Sequence, residues 1–127
     1  MNNTEKIINE AWENKDKISK DSDKAIINAI NETIKDLDKG KARVAEKVNG
    51  TWLTHQYIKK AIMLSFRIND MESLSGPYSS WHDKAHLLKG KTSGWTKDDF
   101  EKAGFRMVPN SPVRKGSYIG KNVVLMP

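Results

Sequence analysis

Aliphatic residues recur every six positions close to the C-terminal end of the sequence. Val113, Ile119 and Leu125 follow this spacing, and small, polar or turn-forming residues lie between them. A period of six fits neither an α-helix, which repeats about every 3.6 residues, nor a β-strand, which repeats about every 2. It is typical of a parallel β-helix, in which each hexad forms one short strand and a corner and points its first aliphatic side chain inward. Residues 104–127 are therefore predicted to start such a fold.

The hexads also raise an expectation about the length of the protein. One coil of a β-helix cannot bury its own apolar face, and about three or more repeats are needed for stability. The third hexad has only begun when the sequence reaches Pro127. We therefore expect these residues to be the N-terminal part of a longer protein.

Charge is distributed unevenly along the 127 residues. Residues 1–40 carry 7 Lys and Arg against 9 Asp and Glu, whereas residues 41–127 carry 15 against 7. From Gly104 onward the sequence has four basic residues and no acidic one. Such a field attracts anions, so the candidates are a nucleic acid, a small polyanionic substrate, a phosphate-rich cofactor, or simply a solvated Lys-rich surface.

Several functional classes are disfavoured by the residue types present. Without cysteine the chain has no disulfide framework, no thiolate nucleophile and no Cys-ligated zinc. No apolar run reaches the roughly 18 residues that span a membrane, and the first residues show no secretory signal. We therefore expect a cytoplasmic protein without a membrane partner.

Helical periodicity precedes the hexads. Apolar residues at helical spacing predict helices over about 4–15, 23–38 and 55–69. Asn3 or Thr4 is expected to cap the first helix, and Thr54 the third. The cations Lys59, Lys60 and Arg67 on the third helix are assigned no role beyond a solvated helix face.

A hairpin is predicted between the second and third helices. Asn49-Gly50 separates two short alternating runs, and this dipeptide favours a type I′ turn because both positions need φ > 0. We therefore expect a helical N-terminal domain over residues 1–103 that contains a β-hairpin at 42–54.

The stretch from Asp70 to Gly94 is rich in Ser and Gly and is predicted to be a loop. His82 and His86 in this stretch have the i, i+4 spacing of a helical metal pair. Asp83 is the only nearby third ligand and the surroundings do not indicate a strong helix, so no metal site is predicted.

A short helix and a strand then lead to the hexads. Thr96 is expected to cap a helix that ends at Gly104, and residues 105–108 are predicted to form a strand. Residues 110–112 are expected to interrupt that strand before the first hexad.

Two strips of the sequence resemble the tetrahydrodipicolinate N-succinyltransferases. The first runs from Arg43 to Asp70 and reads RVAEKVNGTWLTHQYIKKAIMLSFRIND. The second is the tail, with Gly-Phe-Arg at 104–106 followed by VRKGSYIGKNVVLMP at 113–127. The two helices before Gly40 are similar in kind to the helical N-terminal region of this family of hexapeptide-repeat transferases.

The resemblance implies an α+β fold in which a helical domain with a β-hairpin leads into a left-handed parallel β-helix, of which this chain holds only the first coil. It implies a homotrimer with active sites between neighbouring subunits. The implied reaction transfers a succinyl group from succinyl-CoA, the co-substrate, to tetrahydrodipicolinate in the diaminopimelate route to lysine. It needs no permanently bound cofactor and no acyl-enzyme, and the chain indeed lacks a GxSxG elbow.

One substrate-binding residue is implied by the resemblance. Arg106 matches the arginine of the family's Gly-Phe-Arg motif, which contacts the dicarboxylate, and a guanidinium can hold a carboxylate through two parallel hydrogen bonds. The family's acidic residues and its CoA-binding surfaces lie in later coils, so no catalytic or cofactor-binding residue is assigned here. A general base must reach the amine that it deprotonates, and these 127 residues alone are therefore expected to be inactive.

Three alternatives remain open. A nucleic-acid-binding module is supported by the pI of about 9.5 and four Trp residues, but the cations do not interleave with aromatic residues on any one element. The second is a trimerisation or capping domain that binds no dicarboxylate. The third is another hexapeptide-repeat acyltransferase, for which the strip from Arg43 to Asp70 would be a coincidence.

Overall fold

A computed structural model describes residues 2–127 and shows an α+β chain of helices and small two-stranded sheets. Within these residues no helix is both long enough and apolar enough to cross a lipid bilayer. The elements in chain order are α1 (Asn3–Glu13), a 3-10 turn (Lys15–Lys17), α2 (Lys24–Asp38), β1 (Ala45–Val48), β2 (Thr51–Thr54), α3 (Gln56–Arg67), β3 (Met71–Ser75), β4 (Ser80–Lys84), α4 (Ala85–Leu88), α5 (Lys97–Ala103), β5 (Arg106–Met107) and β6 (Val124–Leu125).

The core lies among α1, α2 and α3, which pack against one another. Ile8 of α1, Ile30 of α2 and Leu64 of α3 are completely buried in a shared apolar cluster. Each such side chain contributes about 1.5–3 kcal/mol when it leaves water. The three predicted helices are therefore confirmed as the framework of this part of the chain.

Two of the predicted helix caps are wrong. Asn2, and not Asn3 or Thr4, caps α1, because its Oδ1 accepts a hydrogen bond of 2.7 Å from the Glu5 N–H. The residue before α3 is His55, and neither it nor Thr54 makes a side-chain cap. The sequence offered several polar residues at each start, and only the backbone geometry selects one of them.

The predicted hairpin is confirmed, although β1 begins at Ala45 instead of Ala42. Asn49 has φ of 49° and Gly50 has φ of 81°, which are the positive values that a type I′ turn requires. The turn sets Val48 opposite Thr51 in an antiparallel pair. The hairpin carries little buried surface, and Trp52 on β2 is 70% exposed.

The loop predicted over 70–94 is wrong. β3 and β4 form a second antiparallel hairpin, with Leu74 opposite Trp81, and α4 follows directly. Its strands are exposed almost throughout. Their sequences do not alternate between apolar and polar residues, which is the pattern that indicates a half-buried strand. Gly76 belongs to the turn, where the Trp81 ring occupies the space that a Cβ would need.

Within the hexad segment, residues 104–127, the strands β5 and β6 pair in parallel. Arg106 on β5 pairs with Val124 on β6, 18 positions further along the chain, which equals three hexads. The Arg106 N–H donates to the Val123 carbonyl at 2.9 Å, and the Asn122 N–H donates to the Gly104 carbonyl at 2.7 Å. This separation is compatible with a repeat of six, but Val113 and Ile119 lie outside the strands, so residues 2–127 do not show the predicted β-helix.

An ion pair joins the end of α2 to the turn that precedes α5. Lys91 Nζ lies 3.0 Å from Asp38 Oδ2 at the end of α2, and only 7% of the Lys91 side chain is exposed. The Gly116 N–H donates to the other Asp38 oxygen at 3.0 Å. Beside it, the Tyr118 ring covers Gly40, whose φ of 73° ends α2. The contacts of Gly116 and Tyr118 hold the hexad segment against the end of α2.

Candidate functional site

Arg106 lies on β5 with its side chain exposed to solvent. It borders a shallow depression between the end of α5 and the strands β5 and β6, with Phe100, Gly104 and Val124 among the walls. The predicted site residue is thus placed where a small molecule could reach it.

An aromatic cluster turns Arg106 outward. Phe105 is 6% exposed, and its ring lies 5.6 Å from the Trp95 ring and 5.9 Å from the Phe100 ring. Trp95 and Phe100 also pack edge-on, with centroids 5.1 Å apart. Because neighbouring side chains on a strand point to opposite sides, burial of Phe105 directs Arg106 to the surface.

The helix that supplies Phe100 has a complete capping box. The Thr96 N–H donates to Asp99 Oδ2 at 2.7 Å, and the Thr96 hydroxyl donates to the same oxygen at 3.1 Å. These hydrogen bonds, the backbone one first, lower the pKa of the Asp99 carboxyl below its ordinary value. The short helix α5 is therefore fixed at its start, as predicted from Thr96, and it holds one wall of the depression.

The guanidinium of Arg106 is available to an anion. Within residues 2–127 the Arg106 guanidinium makes no ion pair and no side-chain hydrogen bond, which leaves its five N–H donors for a ligand. Glu101 borders the same depression, and its Oε1 lies 3.5 Å from Lys97 Nζ. The arrangement suits recognition of a carboxylate in a bidentate geometry.

The two histidines with the spacing of a metal pair, His82 and His86, lie in different elements. His82 is on β4, where its Nδ1 lies 2.7 Å from Ser73 Oγ, and His86 is on α4, where its Nε2 lies 3.4 Å from Ser65 Oγ. Across residues 2–127 no group of three metal-ligating side chains comes together.

Two of the cations on α3 have structural contacts. Lys60 Nζ donates to Asn9 Oδ1 at 2.9 Å, which ties α3 to α1. Arg67 lies 3.6 Å from Asp16 in the 3-10 turn, and Lys59 is exposed. None of the three lies near Arg106 in the depression.

Sequence reasoning missed the groups that support Arg106. Trp95 precedes α5, Phe100 lies in α5 and Phe105 lies between α5 and β5, so no single periodicity links the three rings. The Asp38–Lys91 pair spans 53 residues and has no local signature. The one available signal was the alternation of Phe105 and Arg106 on a predicted strand.

Comparisons with known proteins agree on one family. A family model described as "Tetrahydrodipicolinate N-succinyltransferase N-terminal" matches residues 3–68. Three relatives carry the name 2,3,4,5-tetrahydropyridine-2,6-dicarboxylate N-succinyltransferase. One from Pelagibacter ubique is 69% identical over 127 residues, one from Dechloromonas aromatica is 49% identical over 120, and one from Haemophilus influenzae is 48% identical over 128.

The alignments cover nearly all of this chain but less than half of each relative. They include 100%, 94% and 100% of this chain, but 46%, 43% and 46% of the three relatives. The chain therefore spans slightly less than half the length of the curated relatives it matches.

Proposed function

The chain belongs to the tetrahydrodipicolinate N-succinyltransferase family, and we propose that it forms the N-terminal part of an enzyme that transfers succinyl from succinyl-CoA to tetrahydrodipicolinate. The family match over residues 3–68 and the relative at 69% identity support this function. Because the relatives are about twice as long as the matched region, the proposal concerns a polypeptide of their full length. In it the chain serves lysine biosynthesis in the cytoplasm, with succinyl-CoA as co-substrate and no permanently bound cofactor.

Arg106 is proposed to bind one carboxylate of the dicarboxylate substrate. The observation that carries this role is the exposed guanidinium on β5, held outward by the buried Phe105 and without an acidic partner in residues 2–127. A fixed strand orients the planar fork, and its two parallel hydrogen bonds match a carboxylate. Lysine would keep the charge but not this geometry.

The finer architecture is also a proposal. The parallel pairing of Arg106 with Val124 supports continuation of β5 and β6 into further coils of a left-handed β-helix. Exposed apolar side chains on the β1–β2 hairpin support assembly into a homotrimer, with active sites between subunits. We propose no nucleic-acid partner, because the charge of the chain is explained by an anionic substrate.

The test is succinyl transfer by the polypeptide of the relatives' full length that contains this chain. Release of CoA thiol would be followed while the dicarboxylate and succinyl-CoA are varied separately. We expect Arg106→Gln to raise the KM for the dicarboxylate about tenfold or more and Arg106→Lys to do so less, with the KM for succinyl-CoA unchanged. The matched control is Lys115→Gln, which removes one exposed positive charge outside the depression.

Two outcomes would contradict different parts of the proposal. An unchanged KM for the dicarboxylate in Arg106→Gln would remove the assigned role of this residue but leave the reaction intact. Failure of the unmodified full-length polypeptide to release CoA in the presence of both substrates would refute the enzymatic function itself.

A further inference from the structure

A second concavity lies on the other side of β5. Arg106 borders the depression described above, whereas the next residue, Met107, lines a cavity of about 500 Å³ between the β3–β4 hairpin, α4 and residues 110–114. Cavities of about 300–1,000 Å³ hold small-molecule ligands in proteins. This cavity is therefore of a size that admits a ligand, and it is separate from the Arg106 depression.

The walls of the cavity are largely apolar. Leu74 and Trp81 face each other across the hairpin and are 46% and 41% exposed, so both offer apolar surface to whatever enters. Leu87 of α4 and Val113 of the first hexad add to the apolar lining. Burial of such surface stabilises a bound apolar group by about 25 cal/mol for each Å² removed from water.

Trp81 is held in the wall by the turn of its own hairpin. Its ring lies against Gly76, at the place where any larger residue would put a Cβ. The hydrogen bonds of the hairpin pair β3 with β4 along five residues each. The largest apolar surface of the cavity is thus positioned before any ligand binds.

Two of the charged side chains that line the cavity, those of Arg114 and Lys89, are positive and one is negative. Arg114 and Lys89 border it, and within the described chain neither side chain makes an ion pair or a hydrogen bond. Asp83 is the one acid in the lining, and its Oδ1 already accepts a hydrogen bond of 2.7 Å from the Lys84 N–H. A molecule in the cavity would therefore lie near two unpaired cations and one carboxylate that already accepts a hydrogen bond.

We propose that this cavity binds a small amphipathic anion, with an apolar body against Leu74 and Trp81 and a carboxylate or similar group at Arg114. Charge complementarity selects an anion over a neutral or cationic molecule of the same shape, since Arg114 provides charged hydrogen bonds. The apolar walls select against a small inorganic anion. Binding here does not depend on the proposed succinyl transfer.

The test uses sodium octanoate as the probe, with the 127-residue chain, calorimetric titration and NMR shifts of the Trp81 indole. We expect saturable binding that shifts this resonance and that weakens about five- to tenfold in Arg114→Gln. Lys115→Gln is the matched control, because it removes the same charge one position away and outside the cavity. Ser93→Phe places a ring in the cavity from an exposed wall position and should abolish binding.

Several results would overturn the proposal. Absence of saturable octanoate binding would do so, as would equal binding of octan-1-ol or tighter binding of octylammonium. An unchanged affinity in Arg114→Gln would place the probe elsewhere. Trp81 shifts that follow protein concentration, without octanoate binding, would show that a second copy of the chain covers the cavity instead.

Discussion

His86 is a half-buried side chain on α4 that faces α3. Its ring packs edge-on against Phe66 with centroids 5.5 Å apart, and its buried Nδ1 has no hydrogen-bond partner among residues 2–127. Burial is the main cause that lowers the pKa of His86, followed by the positive charge of Arg114. Lys84 and Lys115 act in the same direction, and Asp83 opposes them.

This environment predicts a loss of stability in weak acid. The folded pKa of His86 lies below the ordinary value of 6.5, so between the two values the unfolded chain binds more protons than the folded chain. The free energy of unfolding should therefore fall as the pH drops from 6.5 toward the folded pKa, with no contribution from His86 above that range. Urea unfolding at about pH 7.5 and about pH 5.5 would measure the difference.

The variant that tests this is His86→Gln, which should lose less stability than the unmodified chain over the same pH interval. His82→Gln is the control, because His82 is exposed on β4. Equal pH dependence in His86→Gln and the unmodified chain would show that other groups cause the acid effect.

The junction between the helical bundle and the hexad segment depends on Asp38. Its carboxylate accepts from Gly116 and pairs with the buried Lys91, while the Asp38 carbonyl accepts a second hydrogen bond of 2.9 Å from Lys91 Nζ. Lys91 cannot turn to water without leaving the junction, since its side chain is 7% exposed. The hexad segment is thus held against the C-terminal end of α2.

We predict that Asp38→Asn destabilises the chain by about 2–4 kcal/mol, because it leaves the Lys91 ammonium buried without a counter-charge. Urea unfolding would give the free energy. Glu32→Gln is the control: Glu32 pairs with Lys35 at 3.6 Å on an exposed face of α2, and its loss should change stability by less than about 1 kcal/mol. Equal effects in the two variants would mean that the Asp38–Lys91 pair does not hold the junction.

The sequence predicts correctly a turn and a cap that are each formed by residues within about four positions of one another. Asn49-Gly50 dictates a turn by its own backbone preferences, and Thr96 with Asp99 forms a cap within four residues. The β3–β4 hairpin escapes such reasoning because both of its faces are exposed and no alternation marks it. Arg106 was found through the family resemblance, whereas the rings that orient it are brought together only by the fold.

The long helices bury their apolar side chains, whereas the β1–β2 hairpin leaves its apolar side chains exposed. The three long helices bury theirs in a common core, as Ile8, Ile30 and Leu64 show. The β1–β2 hairpin does not, and a two-stranded hairpin is at best marginally stable in water by itself. Trp52 and Leu53 on this hairpin are exposed. In the proposed homotrimer, contact with a neighbouring subunit would cover these side chains and stabilise the hairpin.

We predict that Trp52→Ser weakens self-association of the chain about tenfold or more, because buried Trp residues dominate the binding energy of protein interfaces. Within a single chain Trp52 is 70% exposed, so the substitution should change the free energy of unfolding of the monomer by no more than about 0.5 kcal/mol. Sedimentation velocity over a range of concentrations would measure the association. Tyr78→Ser, which removes a 67% exposed ring from the turn of the other hairpin, is the matched control. Unchanged association in Trp52→Ser, or an equal loss in Tyr78→Ser, would show that the β1–β2 hairpin is not the surface through which the subunits meet.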